Sequence, residues 1–394
     1  MNKKASLTVI FLTVFIDLLG FGVLIPILPT FASKDLGISD FGIGIIVAIF
    51  SFVQFIFNPY LGKMSDKYGR RPLILGTLLI SSLSYLIFAF AHSFLLLFVA
   101  RLLAGIGGSN IGVAQAYVAD VTTKEERSKG MGIIGAAFGL GFVFGPMIGG
   151  FLSNFGYSAV GFASAAFSFM AFVFAFFALP ESIKEKSASI NRKFEFINIR
   201  LTKRILKDKV IGLFVILFFI IVFSMANIYG TFSLMGYKVF HFSDLQNGYL
   251  FGIIGLIGAV IQGGLINKLN KRFSDKILIL AGLFLMTFGL GLLPYGVNFL
   301  GVALVASVLA IGTGLLQPTV LSMISKYSPD NEQGSILGMN QSFASLARVF
   351  GPLWGGFAYD FLGYQFPFLT GAAFTFATFI IVVVLLNSKV IKES

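Results

Sequence analysis

Apolar runs fill most of this chain, and polar or Pro/Gly-marked breaks separate them at intervals close to the length of a membrane-crossing helix. Such a helix needs roughly 20 mostly apolar residues. Windows of that length predict twelve spans, at 7–30, 41–61, 73–91, 94–118, 130–152, 160–180, 210–234, 246–267, 276–295, 299–324, 334–357 and 366–387. The expected fold is all-α and integral to the membrane, because a helix satisfies its own backbone hydrogen bonds where no water reaches. The first run continues from Leu7 to Phe31 behind a short basic stub. It is too long for a signal-peptide core and reads as a retained first span.

Two segments repeat one another. Glu126-Arg127 leads to Val143-Phe144-Gly145-Pro146-Met147-Ile148-Gly149-Gly150, and Glu332-Gln333 leads to Val349-Phe350-Gly351-Pro352-Leu353-Trp354-Gly355-Gly356. A duplicated GPxxGG helix implies two homologous six-helix bundles, expected at 1–180 and 210–394 and joined by the polar stretch 181–209. Paired halves around a midplane site are the architecture of secondary transporters, so the repeat predicts a carrier. Gly145, Pro146 and Gly149, with their counterparts Gly351, Pro352 and Gly355, predict helices that bend or pack closely.

Composition removes other classes. A chain that is 57% hydrophobic and 12% charged is not a soluble domain with a solvated surface. The absence of cysteine excludes disulfides, thiolate nucleophiles and Cys-based metal sites. His92 and His241, the two histidines, fall at span ends, and no cofactor or metal is expected. No constellation suited to intramembrane catalysis occurs, so an enzyme is not expected. With both termini cytoplasmic, Lys34 and Lys238 lie outside and Arg101 and Arg348 lie within spans, while the remaining Lys and Arg fall in tails and even-numbered loops. The net charge of +12 is thus topogenic rather than a footprint for nucleic acid. The basic run Lys184 to Lys209 reads as a cytoplasmic linker that rests on anionic headgroups.

Between spans two and three stands Gly62-Lys63-Met64-Ser65-Asp66-Lys67-Tyr68-Gly69-Arg70-Arg71-Pro72. It resembles the GxxxDxxGRR loop of the major facilitator superfamily. The resemblance extends through Arg101-x-x-x-Gly105-x-Gly107, the GPxxGG helix and Leu179-Pro180-Glu181-Ser182, and covers essentially the whole chain. The set is similar to the twelve-span drug:proton antiporters, and Asp17-Leu18-Leu19-Gly20-Phe21-Gly22 to the tetracycline-exporter group. This implies a monomeric, multi-pass inner-membrane protein that exports drugs, confers antibiotic resistance and takes small molecules and protons as its partners. It also implies that Asp66, Arg70 and Asp120 form a charge cluster stabilising the outward-open state. The alternative for Arg70 and Arg71 is topological anchoring alone. Ser84 replaces the acid that tetracycline exporters carry in span three, which argues against tetracycline itself as the cargo.

Of the 17 acidic residues, Asp17 alone falls within a predicted span. Placing a charge there costs roughly 2.5 to 3.5 kcal/mol on insertion scales, so it calls for a function. We read Asp17 as a proton-coupling site; the competing reading is a fixed ion pair with Arg101. By resemblance Arg101 takes part in proton handling. Ala104, Gly108 and Gly112 predict a small-residue stripe that brings Arg101 to span one.

Arg348, in span eleven, has no acid in a span of its own half. It must either pair with Asp17 or meet an anionic ligand. Gln54, Asn110, Gln115, Asn227, Gln262, Gln317, Asn340 and Gln341 are further polar residues in spans and candidates to line a cavity. The 48 Phe and 10 Met residues suit an adaptable apolar pocket. The combined expectation is export of lipophilic or amphiphilic compounds in exchange for protons; the alternative is a carrier of an anionic metabolite, sugar or lipid bound by Arg348.

Overall fold

A computed structural model describes residues 3–123, 126–183, 199–208, 210–329 and 332–387. They form helices in the order α1 (Lys3–Leu24), α2 (Ile27–Lys34), α3 (Asp40–Tyr68), α4 (Arg70–Ala89), α5 (Phe94–Gly107), α6 (Asn110–Val121), α7 (Arg127–Leu152) and α8 (Tyr157–Ala178). There follow α9 (Ile199–Lys207), α10 (Ile211–Lys238), α11 (Asp244–Val260), α12 (Ile266–Arg272), α13 (Asp275–Leu292), α14 (Phe299–Tyr327), α15 (Gln333–Phe361) and α16 (Phe366–Asn387). The all-helical expectation holds, and every predicted span coincides with a helix or a pair of consecutive helices.

Three spans are interrupted, each for a local reason. Pro26 follows α1; it lacks an N–H and disfavours helical geometry at Ile25. Between α5 and α6 the Ser109 hydroxyl donates to the Gly105 carbonyl at 2.8 Å, the local competition that bends helices. Ile261–Leu265 forms a π-helical turn between α11 and α12. Among the described residues, eleven segments are long and apolar enough to cross a membrane. The segment that falls short by composition is α15, which carries Asn340, Gln341, Ser345 and Arg348 within a helix of 29 residues.

The chain divides into two compact units, and the division is not strictly consecutive in sequence. Unit 1 comprises residues 1–38, 49–196 and 243–252, and unit 2 the remainder. The first turns of α3 and α11 are therefore packed separately from the rest of their own helices. Of the stretch expected to be a polar linker, α9 is helical and inserts Ile205 as a buried residue beside Gly212 of α10. Residues 184–198 lie outside the described residues.

In unit 1, α1 packs along α7 and α8, and α4 packs along α5 and α8. Ile10, Val14, Leu18, Leu78, Val113, Tyr117 and Ile134 are buried together in its core. The α1–α7 crossing is set by Gly22 and Gly145: a Cβ on Gly145 would lie 2.6 Å from the Gly22 Cα, and one on Gly22 would lie 2.6 Å from the Gly141 carbonyl oxygen. Such backbone-to-backbone approach is open to glycine alone. The other face of α7 receives the first turn of α11, where Gly248 meets the Pro146 carbonyl.

Unit 2 repeats the design. α10 packs along α15 and α16, and α13 along α14 and α16. A Cβ on Gly351 would lie 2.8 Å from the Ala226 side chain and 2.9 Å from the Asn227 nitrogen, while Gly355 abuts Asn227. The neighbouring face of α15 receives the first turn of α3, with Gly44 against the Pro352 carbonyl and Gly356 against Asp40. Each GPxxGG helix thus supplies two close-packed faces.

Gly145→Ala is expected to disrupt the α1–α7 crossing and cost about 1–3 kcal/mol of stability, the range for overpacking. Gly135→Ala, on the same helix with open space around the position, is expected to be neutral or slightly stabilising. Thermal unfolding of the purified variants in one detergent measures the contrast.

Candidate functional site

Asp17 lies two turns before the end of α1 and is 7% exposed. Both carboxylate oxygens accept hydrogen bonds from neutral donors. The Ser168 hydroxyl of α8 donates to Oδ1 at 2.6 Å, and the Asn110 amide of α6 donates to Oδ2 at 2.8 Å. Close packing of α1 on α8 holds this geometry, since a Cβ on Gly20 would lie 2.8 Å from the Ser164 carbonyl. Among the described residues no Lys or Arg forms an ion pair with Asp17. The fixed Asp17–Arg101 pair is thus not the arrangement found.

Arg101, 8% exposed, instead places its guanidinium over the Phe50 ring at 4.4 Å from the centroid, and its Nε has no hydrogen-bond partner. Tyr85 of α4 is buried in the same unit. The small-residue stripe also works differently from expectation. Gly105 approaches Phe50 and Val53 of α3, Gly108 approaches the Gln54 and Phe50 side chains of α3, and Gly107 approaches Ser81 of α4, whereas Gly112 has open space around it. Gly105 and Gly107, two apart, serve two different neighbours, so α5 approaches α3 and α4, and the approach of this span to α1 is made in α6, at Asn110.

The GxxxDxxGRR residues build a connected charge cluster within unit 1. Gly69, with φ of 111°, makes the turn into α4 in a conformation that favours glycine. Arg70 pairs with Asp66 at 2.6 Å and with Asp120 at 3.0 Å, and also donates to the Ser65 hydroxyl at 2.5 Å. The cap on α4 is Glu181, whose carboxylate accepts from the backbone nitrogens of Arg70 and Arg71 at 2.9 and 3.2 Å. A carboxylate there also complements the positive end of the helix. Glu181 thus joins the cluster that the resemblance implies for Asp66, Arg70 and Asp120, and Leu179-Pro180-Glu181-Ser182 carries its signal in the sequence. Arg71 donates to the Phe176 carbonyl at 2.6 Å, and Ser182 closes the cluster on Asp120 at 2.8 Å. Gly62 has open space around it, and Ser65 donates to its carbonyl at 2.6 Å.

The remaining polar residues separate into groups. Gln54 donates to the Gly108 carbonyl at 3.0 Å and bridges helices. Asn227 is fully buried, donates to the Pro367 carbonyl and packs against Gly355, which makes it a helix-packing residue. Gln115, Gln262 and Gln341 are exposed, Gln262 within the π-helical turn, and Gln317 is half-buried before Pro318. Asn340 is 0% exposed, and neither amide atom has a hydrogen-bond partner. Arg348 donates to Ser345 on its own helix at 3.2 Å. An apolar recess lined by Phe41, Phe223, Phe350, Leu353, Trp354, Phe357 and Phe374 includes none of these polar groups.

One buried ion pair was missed in the sequence. Asp40, placed just outside a predicted span, is the first residue of α3; it is buried and accepts from Lys238 of α10 at 2.6 Å. Its counterpart at the start of α11, Asp244, accepts from the Tyr157 hydroxyl at 2.9 Å. The signal was the matching position of the two acids at the starts of equivalent helices.

Glu181→Ala removes the cap on α4 and is expected to cost about 1 kcal/mol. Arg70→Ala leaves Asp66 and Asp120 unneutralised and is expected to cost about 2 kcal/mol, less than a fully buried pair because Asp66 is half-exposed. Unfolding midpoints of the two variants and their double mutant give the order and the coupling.

Comparison with known proteins agrees with the helical repeat and the charge cluster. The family model described as Major Facilitator Superfamily matches residues 10–273 and 264–393. Multidrug resistance protein 2 of Bacillus subtilis (strain 168) is 34% identical over 100% of this chain and 96% of its own length. The class E tetracycline resistance protein of Escherichia coli is 32% identical over 91% of this chain and 89% of its own. Among solved structures, the human organic anion transporter MFSD10 (TETRAN) superposes with a TM-score of 0.72 at 26% identity, covering 97% of this chain and 100% of that one. With its duplicated close-packed helices and a family match along nearly its whole length, this chain belongs to the Major Facilitator Superfamily of membrane transporters.

Proposed function

We propose that this transporter exports lipophilic and amphiphilic small molecules from the cytoplasm in exchange for protons, with Asp17 as the coupling carboxyl. The observation that carries the reading is the setting of Asp17, a carboxylate buried in a membrane helix and held by a hydroxyl and an amide with no cation locked to it. Neutral donors stabilise the charge enough to let the proton leave. The lack of a bound cation means that protonation breaks no ion pair. Arg101, stacked over Phe50 in the same unit, tunes the energy of the charged form.

The similarity to multidrug and tetracycline resistance proteins supports efflux as the direction and drug-like compounds as the cargo. In this reading the transporter works as a monomer in the inner membrane with both termini cytoplasmic. The two units expose the binding site to each side in turn, and the Arg70 cluster holds one of the two states. Close-packed glycine faces within each unit let it move as a rigid body in such switching.

In proteoliposomes with an imposed pH gradient, gradient-driven transport of the lipophilic cation rhodamine 6G is expected for the native protein. Asp17→Asn is expected to reduce it to the level seen without a gradient, and Asp17→Glu to retain part of it. Equal gradient-driven transport by native protein and Asp17→Asn would remove Asp17 from the coupling step.

A further inference from the structure

The acids of unit 2 leave Arg348 without a counter-ion. Among the described residues, Asp40 pairs with Lys238, Asp275 with Lys326 and Glu332 with Arg204. Asp208 accepts from the backbone nitrogens of Val210 and Ile211, and Asp360 from that of Phe41. Arg348 has a hydrogen bond to Ser345 on its own helix. A guanidinium offers five donors in a fixed fork, so one hydroxyl on the same helix leaves most of that capacity unused.

The surroundings distinguish this position from a packing residue. The glycine face of α15, through Gly351 and Gly355, is spent on α10. Gln341, Ser345 and Arg348 follow one another at helical spacing on the adjoining face, and Gln341 is exposed. Amide and guanidinium groups within a membrane helix face protein interior or water rather than lipid. Ser345 is buried and Arg348 half-buried, so these polar groups turn to the protein interior, with the exposed Gln341 at one end of the row.

We infer that Arg348 forms a subsite for an anionic group, foremost a carboxylate, on amphiphilic cargo. The apolar body of such a molecule contributes affinity through burial, and the fork orients its charged end by paired hydrogen bonds. This names a substrate class for the export reading and rests on it only in that the protein binds small molecules. The organic anion transporter whose fold this chain shares is consistent with anionic cargo on the same scaffold. The subsite also accommodates zwitterions, which joins cargo with a cationic moiety to a site that holds a positive charge.

The test is equilibrium binding by purified protein in nanodiscs, with no gradient, using rhodamine B, which bears a carboxylate, and its ethyl ester, which does not. Native protein is expected to bind the acid more tightly. Arg348→Gln is expected to weaken acid binding roughly ten-fold or more, as for loss of a charged hydrogen bond, and to leave the ester unchanged; Arg348→Lys is expected to recover part of the loss. Equal losses for acid and ester in Arg348→Gln, or no loss for either, would overturn the proposal. A second measurement uses native protein alone and does not depend on the folding of a variant. Preference for the acid over the ester is expected to disappear when the pH falls below the pKa of the dye carboxyl, because Arg348 remains charged throughout, and a preference unchanged by that protonation contradicts the subsite. Failure here leaves gradient-driven export untouched, whereas loss of export with retained acid preference would indict the coupling reading alone.

Discussion

Apolar helices enter a bilayer readily but gain little hydrophobic energy by meeting one another there, because lipid is as apolar as a neighbouring helix. Cohesion must come from contact, and in this protein contact is concentrated where two backbones approach without intervening side chains. Gly22 meets Gly145 in one unit, and Gly351 meets Ala226 and Asn227 in the other. The remaining contacts can form because these crossings bring α1 against α7 and α10 against α15. The repeat expresses a packing requirement: one helix in each unit presents two adjoining glycine-bearing faces, and Pro146 and Pro352 sit between them without breaking the helix.

The buried charges lie on or beside these fixed helices. Asp17 stands on α1, less than two turns from Gly22, and Arg348 stands on α15, one turn from Gly351. A charge in such a place is expensive, and the structure reduces the expense in different ways. Asp17 receives two neutral donors, Arg101 an aromatic face, and Asp40 a lysine. Arg348 receives the least, a single hydroxyl at 3.2 Å. The contrast within one fold is informative because the Arg70 cluster shows what full satisfaction looks like: two carboxylates and a hydroxyl on one guanidinium. The proposed coupling at Asp17 and the inferred anion subsite at Arg348 both rest on this difference in satisfaction.

Much of this was legible in the sequence because it depends on local pattern. Span number followed from run length, the two-unit design from the GPxxGG repeat, and the Arg70–Asp66–Asp120 cluster from family resemblance at fixed spacing. Side-chain pairing was less legible. Asp17 could be singled out as a buried acid, but its donors, Ser168 and Asn110, come from two distant helices and one is a serine among many. The stripe Ala104, Gly108 and Gly112 has the right spacing for a helix contact, and Gly108 makes one, but with α3 rather than α1, because spacing identifies a face and not its neighbour. Asp40 was missed because a hydropathy window ends where the first charge begins, while the helix that contains it does not. The π-helical turn at Ile261–Leu265 left no mark beyond two glycines.

The central claim is that Asp17 holds a proton that cargo must displace, and proton release on binding tests it most directly. Rhodamine 6G added to detergent-solubilised protein in weakly buffered solution, with a pH indicator present, is predicted to release protons from the native protein as its sites fill. Asp17→Asn is predicted to bind the dye without releasing any. Release of equal size from the native protein and from a dye-binding Asp17→Asn variant would place the coupled proton elsewhere and contradict the account.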